Sequence, residues 1–297
     1  MAAKNITKPG RLGFALTVPS LLLVLALVIV PLIYAVYISM TNFPLVGAYH
    51  FVGLANYQAL AGNSQFLHAI LLTVAYTAIV TVPIFVIGYG LAMLTRGNRR
   101  GSTVFRTLFF LPYIVGLTVE SFIFYVELQP SSGAVNFALR KVGLTNGATA
   151  WLVHTVPGLT AICLLVVWFG SGLTMVLLLG GMQGIPRELY EAAFIDGASR
   201  WRAELRVTLP LLRQSIALSL ILSVIGSFLA FNQFQILTQG GPGTSTTPIV
   251  LWIYQVAFEQ GLIGKATAGA MLLVVVVAII SAGQFLLLRD RDARPAS

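Results

Sequence analysis

Two places in this 297-residue chain carry polar side chains inside otherwise apolar stretches, and both are candidates for chemistry. In Phe231-Asn232-Gln233-Phe234-Gln235, aromatic rings and amides stand side by side. Ring faces and amide hydrogen bonds in a pre-formed cavity are what recognition of a polyhydroxylated solute requires. Amides in an apolar medium must be paired, so the same residues also read as glue between packed helices. Glu120 is the one acid well inside an apolar stretch. A carboxylate there costs roughly 2.5–3.5 kcal/mol on insertion scales. It either relays protons or faces a partner helix or wet cavity that offsets its charge.

Other chemistries find no residues. Cys163 is the single cysteine, so an intrachain disulfide and a cysteine metal site are excluded. His50, His68 and His154 are scattered without a ligand spacing such as HExxH. Paired acids and a Ser/His constellation, which an intramembrane enzyme would need, are missing. The nearest approach to a phosphate loop, Gly261 with Gly264-Lys265, fails. Position 259 is Glu where the first glycine belongs, and Ala266 follows the lysine where Ser or Thr is needed. No cofactor, metal or ATP site is expected on this chain.

The elements that must position these residues are membrane helices. Hydrophobic residues make up 57% of the chain and charged residues only 9%, against about a quarter charged in soluble domains. Apolar runs near Phe14–Ile38, Phe66–Leu94, Val104–Leu128, Val156–Met182, Ser215–Leu237 and Ala266–Leu288 are each long enough to cross a bilayer. Backbone groups in lipid must pair internally, so these six spans are read as helices of a single transmembrane domain, residues 1–297. The first run is too long for a signal peptide and no small-x-small cleavage site follows it. Pro19, Pro31, Pro83 and Pro112 fall within the spans and are expected to kink them.

A net charge of +9 would suggest nucleic acid on a soluble protein. Here its distribution argues otherwise, since Lys and Arg cluster at span ends. With both termini cytoplasmic, Lys4, Lys8, Arg11, Arg96, Arg99, Arg100 and Arg106 lie inside. So do Arg187, Arg200, Arg202, Arg206, Arg213, Arg289, Arg291 and Arg294, which leaves only Arg140, Lys141 and Lys265 outside. The charged stretch Gly184–Leu212, GIPRELYEAAFIDGASRWRAELRVTLPLL, is therefore cytoplasmic.

That stretch predicts helix, turn, helix. Pro186 suits a first turn, and Glu188 and Glu191 sit early, where they complement the helix dipole. Leu189, Ala192 and Ala193 share one face. Gly197 can adopt a left-handed conformation and end the helix, and Ser199 can cap a second one near Arg200. Leu209-Pro210 marks the next boundary. The pattern fits a knob for a soluble partner and equally an amphipathic helix on the membrane surface.

Glu191-Ala192-Ala193, Gly197 and Val207-x-Leu209-Pro210 resemble the EAA loop of permease subunits in binding-protein-dependent ABC importers. The extended form IPRELYEAAFIDGAS with LPLL is most similar to the sugar-permease branch (maltose and glycerol-phosphate type). Similar segments recur at Phe51–Tyr57, Arg106–Pro112, Gly133–Asn136, Gly240-Gly241-Pro242 and Ser245-Thr246, with Phe124 standing where many relatives have Trp. The resemblance implies a type I ABC importer permease fold in the bacterial inner membrane. It implies import of a carbohydrate or related polyol, a second homologous permease subunit, two ATP-binding subunits holding ATP and magnesium, and an extracytoplasmic solute-binding protein. Lipid surrounds the assembly and no nucleic acid is involved. Glu191, Ala192, Ala193, Asp196 and Gly197 would couple the loop to the ATPase. Phe169, Gly170, Leu173, Leu229, Ala230 and Gln233, with Phe231 and Asn232 beside them, would line the solute pathway. The alternative is a stand-alone ion-coupled transporter in which Glu120 titrates.

Overall fold

The computed structural model describes residues 9–97, 101–143 and 149–288. Lys4, Lys8, Arg99, Arg100, Arg289, Arg291 and Arg294, part of the orientation argument, lie outside the described residues. Among the described residues the regular structure is helical, apart from an isolated bridge between Thr41 and Phe51.

In chain order, α1 comprises Pro9–Val24, a π-helical turn Leu25–Ile29 and Val30–Ser39. Short α2 is Ala55–Ala61 and long α3 is Ser64–Thr95. Then come α4 (Ser102–Val115), α5 (Leu117–Glu127) and α6 (Ala134–Lys141). Helix α7 is Thr155–Gln183, α8 is Arg187–Ile195 and α9 is Arg200–Leu211. The remainder are α10 (Arg213–Phe228), α11 (Asn232–Leu237), α12 (Ile249–Glu259) and α13 (Ile263–Leu288).

The chain divides into two compact units. One takes the described residues up to Asn63 together with Ile253–Leu273. Its irregular segments are tied by backbone bonds: Gly264 N–H donates to the Phe43 carbonyl at 2.9 Å and Leu45 N–H to that of Gly261 at 2.8 Å. Asn56 Nδ2 donates to the carbonyls of Ser39 and Thr41, both at 2.8 Å. Gly264 is required here because a Cβ would run into the Thr41 carbonyl. Apart from Ser39 at its end, α1 buries none of its described side chains within the chain, which suits a surface facing lipid or another subunit.

The other unit takes Ser64–Trp252 and the described residues from Val274. Its centre is the α3–α7 pair. Tyr76, Val80 and Ile84 of α3 pack on Ile162, Leu165 and Val166 of α7, joined by Ala230, Phe234 and Leu237. Phe234 meets Tyr76 edge to face, with ring centroids 5.1 Å apart. A second cluster, Ala92, Met175, Leu178, Met182 and Leu212, continues the same seam. Small residues let backbones approach without lipid between them: a Cβ on Gly88 would strike Thr174, and one on Gly172 would strike the Phe109 carbonyl.

Two expected spans are not straight helices. The 104–128 stretch bends by 92° between α4 and α5. The break is at Gly116, φ 93°, rather than at Pro112, which α4 accommodates. Only glycine takes that backbone conformation without cost. The 215–237 stretch ends as a helix at Phe228 and resumes at Asn232. No proline or glycine stands in Leu229-Ala230-Phe231, and Ala230 within the interruption and Phe234 just beyond it pack into the core.

The prolines are accommodated in the helices in two ways. Pro19 and Pro83 lie within α1 and α3. Pro31 and Pro210 each follow a π-helical turn, in which Val30 N–H reaches the Leu25 carbonyl and Leu209 N–H that of Glu204. A proline lacks its own N–H and crowds the carbonyl four residues back. That carbonyl, of Leu27 or Arg206, lies inside the widened turn. The helix therefore passes through Leu209-Pro210 and ends at Leu212, where α9 meets α10 at 70°.

Candidate functional site

The loop folds as helix, turn, helix. Pro186 stands one residue ahead of α8, in extended conformation, and Arg187 opens the helix. Gly197 has φ 77°, and the turn is closed by Gly197 N–H to the Phe194 carbonyl at 3.0 Å and Ala198 N–H to that of Ala193 at 2.9 Å. This is the glycine-terminated C-cap that satisfies the last helical carbonyls. Ser199 Oγ accepts from Arg202 N–H at 3.4 Å and caps α9.

Helix α8 buries no side chain, and Glu191, Ala192, Asp196 and Gly197 are exposed, with Ala193 half-buried. Phe194 and Ile195 are exposed too, Ile195 to 86%. An exposed helix of this kind, apolar and acidic together, is the sort of surface that meets another protein or a membrane.

Underneath it lies a group that the sequence reading did not single out. Glu204 is buried in the π-helical turn of α9. Its Oε1 accepts from Tyr89 Oη at 3.2 Å and Arg96 Nη1 at 3.3 Å; its Oε2 accepts from Thr208 Oγ1 at 2.6 Å. Thr208 is bonded to Tyr190 Oη of α8 at 2.9 Å, and the Arg96 guanidinium lies 4.7 Å from the Tyr190 ring centroid. The signal was a single acid within an otherwise basic run, Arg200 to Arg206, with Arg96 far away in sequence. Beside the cluster is a hollow of about 410 Å³ bordered by Met93, Phe194 and Arg200.

The second candidate region is a cleft of about 220 Å³ among α3, α4, α5, α7, α10 and α11. Of the eight pathway candidates, Phe169, Gly170, Leu173 and Gln233 line it. The Phe169 ring packs on Tyr113, centroids 4.9 Å apart. Gln233 is 2% exposed and donates Nε2 to Tyr76 Oη at 3.2 Å, while its Oε1 has no protein partner among the described residues. Ser223 Oγ on the same wall is likewise unpartnered.

The other four candidates stand elsewhere. Leu229 is exposed, Ala230 is in the core and Phe231 is half-buried against that core. Asn232 Nδ2 donates to Thr118 Oγ1 at 2.9 Å, binding α11 to α5 as helix glue. Ser219, Ser223 and Ser227 of the lining were missed, although a repeat every fourth residue marks one helical face. Glu120 is 2% exposed, one turn into α5 and outside the cleft lining, and its Oε2 has no protein partner among the described residues. No group of three or more His, Cys, Asp or Glu converges as a metal site among the described residues.

Residues 60–292 match the family described as binding-protein-dependent transport system inner membrane component. The chain is 31% identical over 278 residues to a probable starch degradation products transport system permease protein of Thermoanaerobacterium thermosulfurigenes, covering 92% of each chain. It is 33% identical over 271 residues to a multiple sugar-binding transport system permease protein of Streptococcus mutans, covering 91% of this chain and 92% of the relative. In fold it superposes on a chain of a bacterial alginate ABC transporter, crystallised with its alginate pentasaccharide-bound periplasmic protein, with a TM-score of 0.82 at 23% identity and 94% of each chain covered. The bent helices, the projecting loop and the half-open cleft are thus the permease fold of an ABC importer, and the chain belongs to the family of binding-protein-dependent transport system inner membrane components.

Proposed function

We propose that this chain forms half of the translocation pathway of an ATP-driven importer for a carbohydrate or related polyol. The solute arrives on an extracytoplasmic binding protein, and a second homologous permease subunit completes the pathway. Two ATP-binding subunits hold ATP and magnesium and grip the Gly184–Leu212 loop from the cytoplasm, where both chain termini also lie. Glu191, Ala192, Ala193, Asp196 and Gly197 form the gripped surface.

The observation that carries this reading is α8, a helix with no buried side chain that is nonetheless held at a fixed pitch by Gly197 and Tyr190. The carbohydrate class is supported by relatives whose names refer to starch degradation products and multiple sugars. It is supported also by the cleft: aromatic faces at Phe169 and Tyr113, free acceptors at Gln233 and Ser223, and no charged side chain among its lining residues. Its volume of about 220 Å³ falls below the roughly 300–1,000 Å³ of complete ligand pockets, as expected of half a pathway.

Affinity purification of the tagged chain from its own membranes is expected to bring down ATP-binding subunits and a sister permease. Mass spectrometry of the associated binding protein is expected to find a neutral carbohydrate or polyol. Uptake should cease on ATP depletion, and Glu191→Lys should abolish it while leaving insertion intact. Transport by this chain alone in vesicles carrying only a proton gradient would overturn the proposal.

A further inference from the structure

The loop presents α8 outward, and none of its side chains is buried. The polar contacts that tie it to the membrane part converge on one carboxylate. Both oxygens of Glu204 are engaged, by Tyr89 and Arg96 at the end of α3 and by Thr208 of its own helix. Thr208 passes the connection to Tyr190 of α8, and Arg96 stacks over the same ring. Three elements, α3, α8 and α9, are thus joined through Glu204, which is 6% exposed. Arg106 adds a further tie at this end, donating Nε to the Thr95 carbonyl at 3.0 Å.

Hydrogen bonds to a carboxylate are directional, so they fix orientation in a way that apolar contact does not; the bond from Thr208 is short at 2.6 Å, and those from Tyr89 and Arg96 are longer at 3.2 and 3.3 Å. Glu204 is the buried member of the pair, while Arg96 keeps about a third of its side chain exposed, so removing a partner strands the Glu204 charge away from water. Glu204 lies in a π-helical turn, a local widening of the kind that recurs at functional positions.

We infer that Glu204 is a positioning residue that clamps the loop to the end of α3, so that movement imposed on α8 is delivered to α3 as a rigid displacement. The inference rests on the coupling role proposed above for the loop. Apolar contacts alone would let α8 swivel when pulled. With the clamp, α8 and the end of α3 move as one body, and α3 carries Ile84 to the cleft.

The test uses the complete importer in lipid nanodiscs, with Cys163→Ser and spin labels at Leu94→Cys and Glu188→Cys, both exposed positions. Electron–electron resonance measures the label separation without nucleotide and after trapping with Mg-ATP and vanadate. One narrow distance, unchanged between the two states, is expected with Glu204 in place. Glu204→Gln is expected to broaden the distribution and make it differ between states, while ATP hydrolysis persists. If Glu204→Gln does not assemble, Tyr89→Phe, which removes one bond to Glu204, and Thr208→Val, which removes the bonds to Glu204 and Tyr190, must broaden the distance instead. An unchanged narrow distance in these variants, or a separation that shifts between states in the parent, overturns the clamp. Glu191→Lys separates the two readings. If it abolishes uptake while the Glu204 variants stay narrow, the clamp alone fails; if it transports normally, the coupling role of the loop fails.

Discussion

Replacing Gly197 with alanine isolates one property of the loop, its left-handed turn. Gly197 has φ 77°, and no atom lies within 4 Å of the place a Cβ would occupy. Contacts with neighbours therefore add nothing, and the cost is that of holding an L-residue in the left-handed region, about 1–2 kcal/mol. At 1.4 kcal/mol per tenfold, this lowers the population of the capped turn by at most about 5–30-fold. A partner that recognises only the capped loop loses apparent affinity by the same factor. Nanodisc-embedded permease titrated with fluorescent ATP-binding subunit reads this directly. Asparagine tolerates the left-handed region better than alanine, and a β-branched residue tolerates it worst. The expected order of affinity is therefore Gly197, then Asn, then Ala, then Val. Binding of the alanine and valine variants at parental strength, or an asparagine variant no better than alanine, would refute the reasoning.

Other consequences follow from particular contacts. Gly88→Ala places a Cβ 2.6 Å from Thr174 Cγ2 and is expected to destabilise the α3–α7 pair by about 1–3 kcal/mol in thermal unfolding. Adding Thr174→Ser should recover only part, since the Thr174 Cβ is itself 2.7 Å away. Asn136 is fully buried, donates to the carbonyls of Gln129, Pro130 and Thr149, and accepts from Trp151 Nε1 at 3.1 Å. Asn136→Ala should cost about 1–3 kcal/mol for the stranded groups and raise hydrogen exchange in α6 and around Trp151. Gln233→Leu removes the free acceptor from the cleft, and uptake of the solute found on the binding protein should fall about 5- to 150-fold, the equivalent of 1–3 kcal/mol. Normal uptake would remove Gln233 from the pathway.

The sequence was most legible where a residue dictates its own backbone. The apolar runs made helices because lipid leaves the backbone no other partner. Gly197 and Ser199 ended one helix and began the next because left-handed geometry and N-terminal caps are local properties. Four of the eight pathway candidates, Phe169, Gly170, Leu173 and Gln233, line the cleft; the family resemblance pointed to all four, and residue type alone only to Gln233, in its run of rings and amides. The interrupted helix at Leu229–Phe231 was not legible, because no residue there breaks a helix by itself, while Ala230 and Phe234 pack into the core. Nor was the 92° bend assigned to Gly116, since a glycine in a membrane helix serves packing as readily as turning.

Glu204 marks the same division. In the sequence it is one charge in a solvated-looking loop. Its meaning depends on Tyr89 and Arg96, more than 100 residues away, and only the packing of α9 against the end of α3 brings them within bonding distance. What the chain determined by itself was how its segments fold and which of them belong in lipid, because those follow from short-range sterics and solvation. Which polar groups meet, and hence which carry force or touch solute, was decided by the tertiary structure, because hydrogen bonds and ion pairs act only at contact.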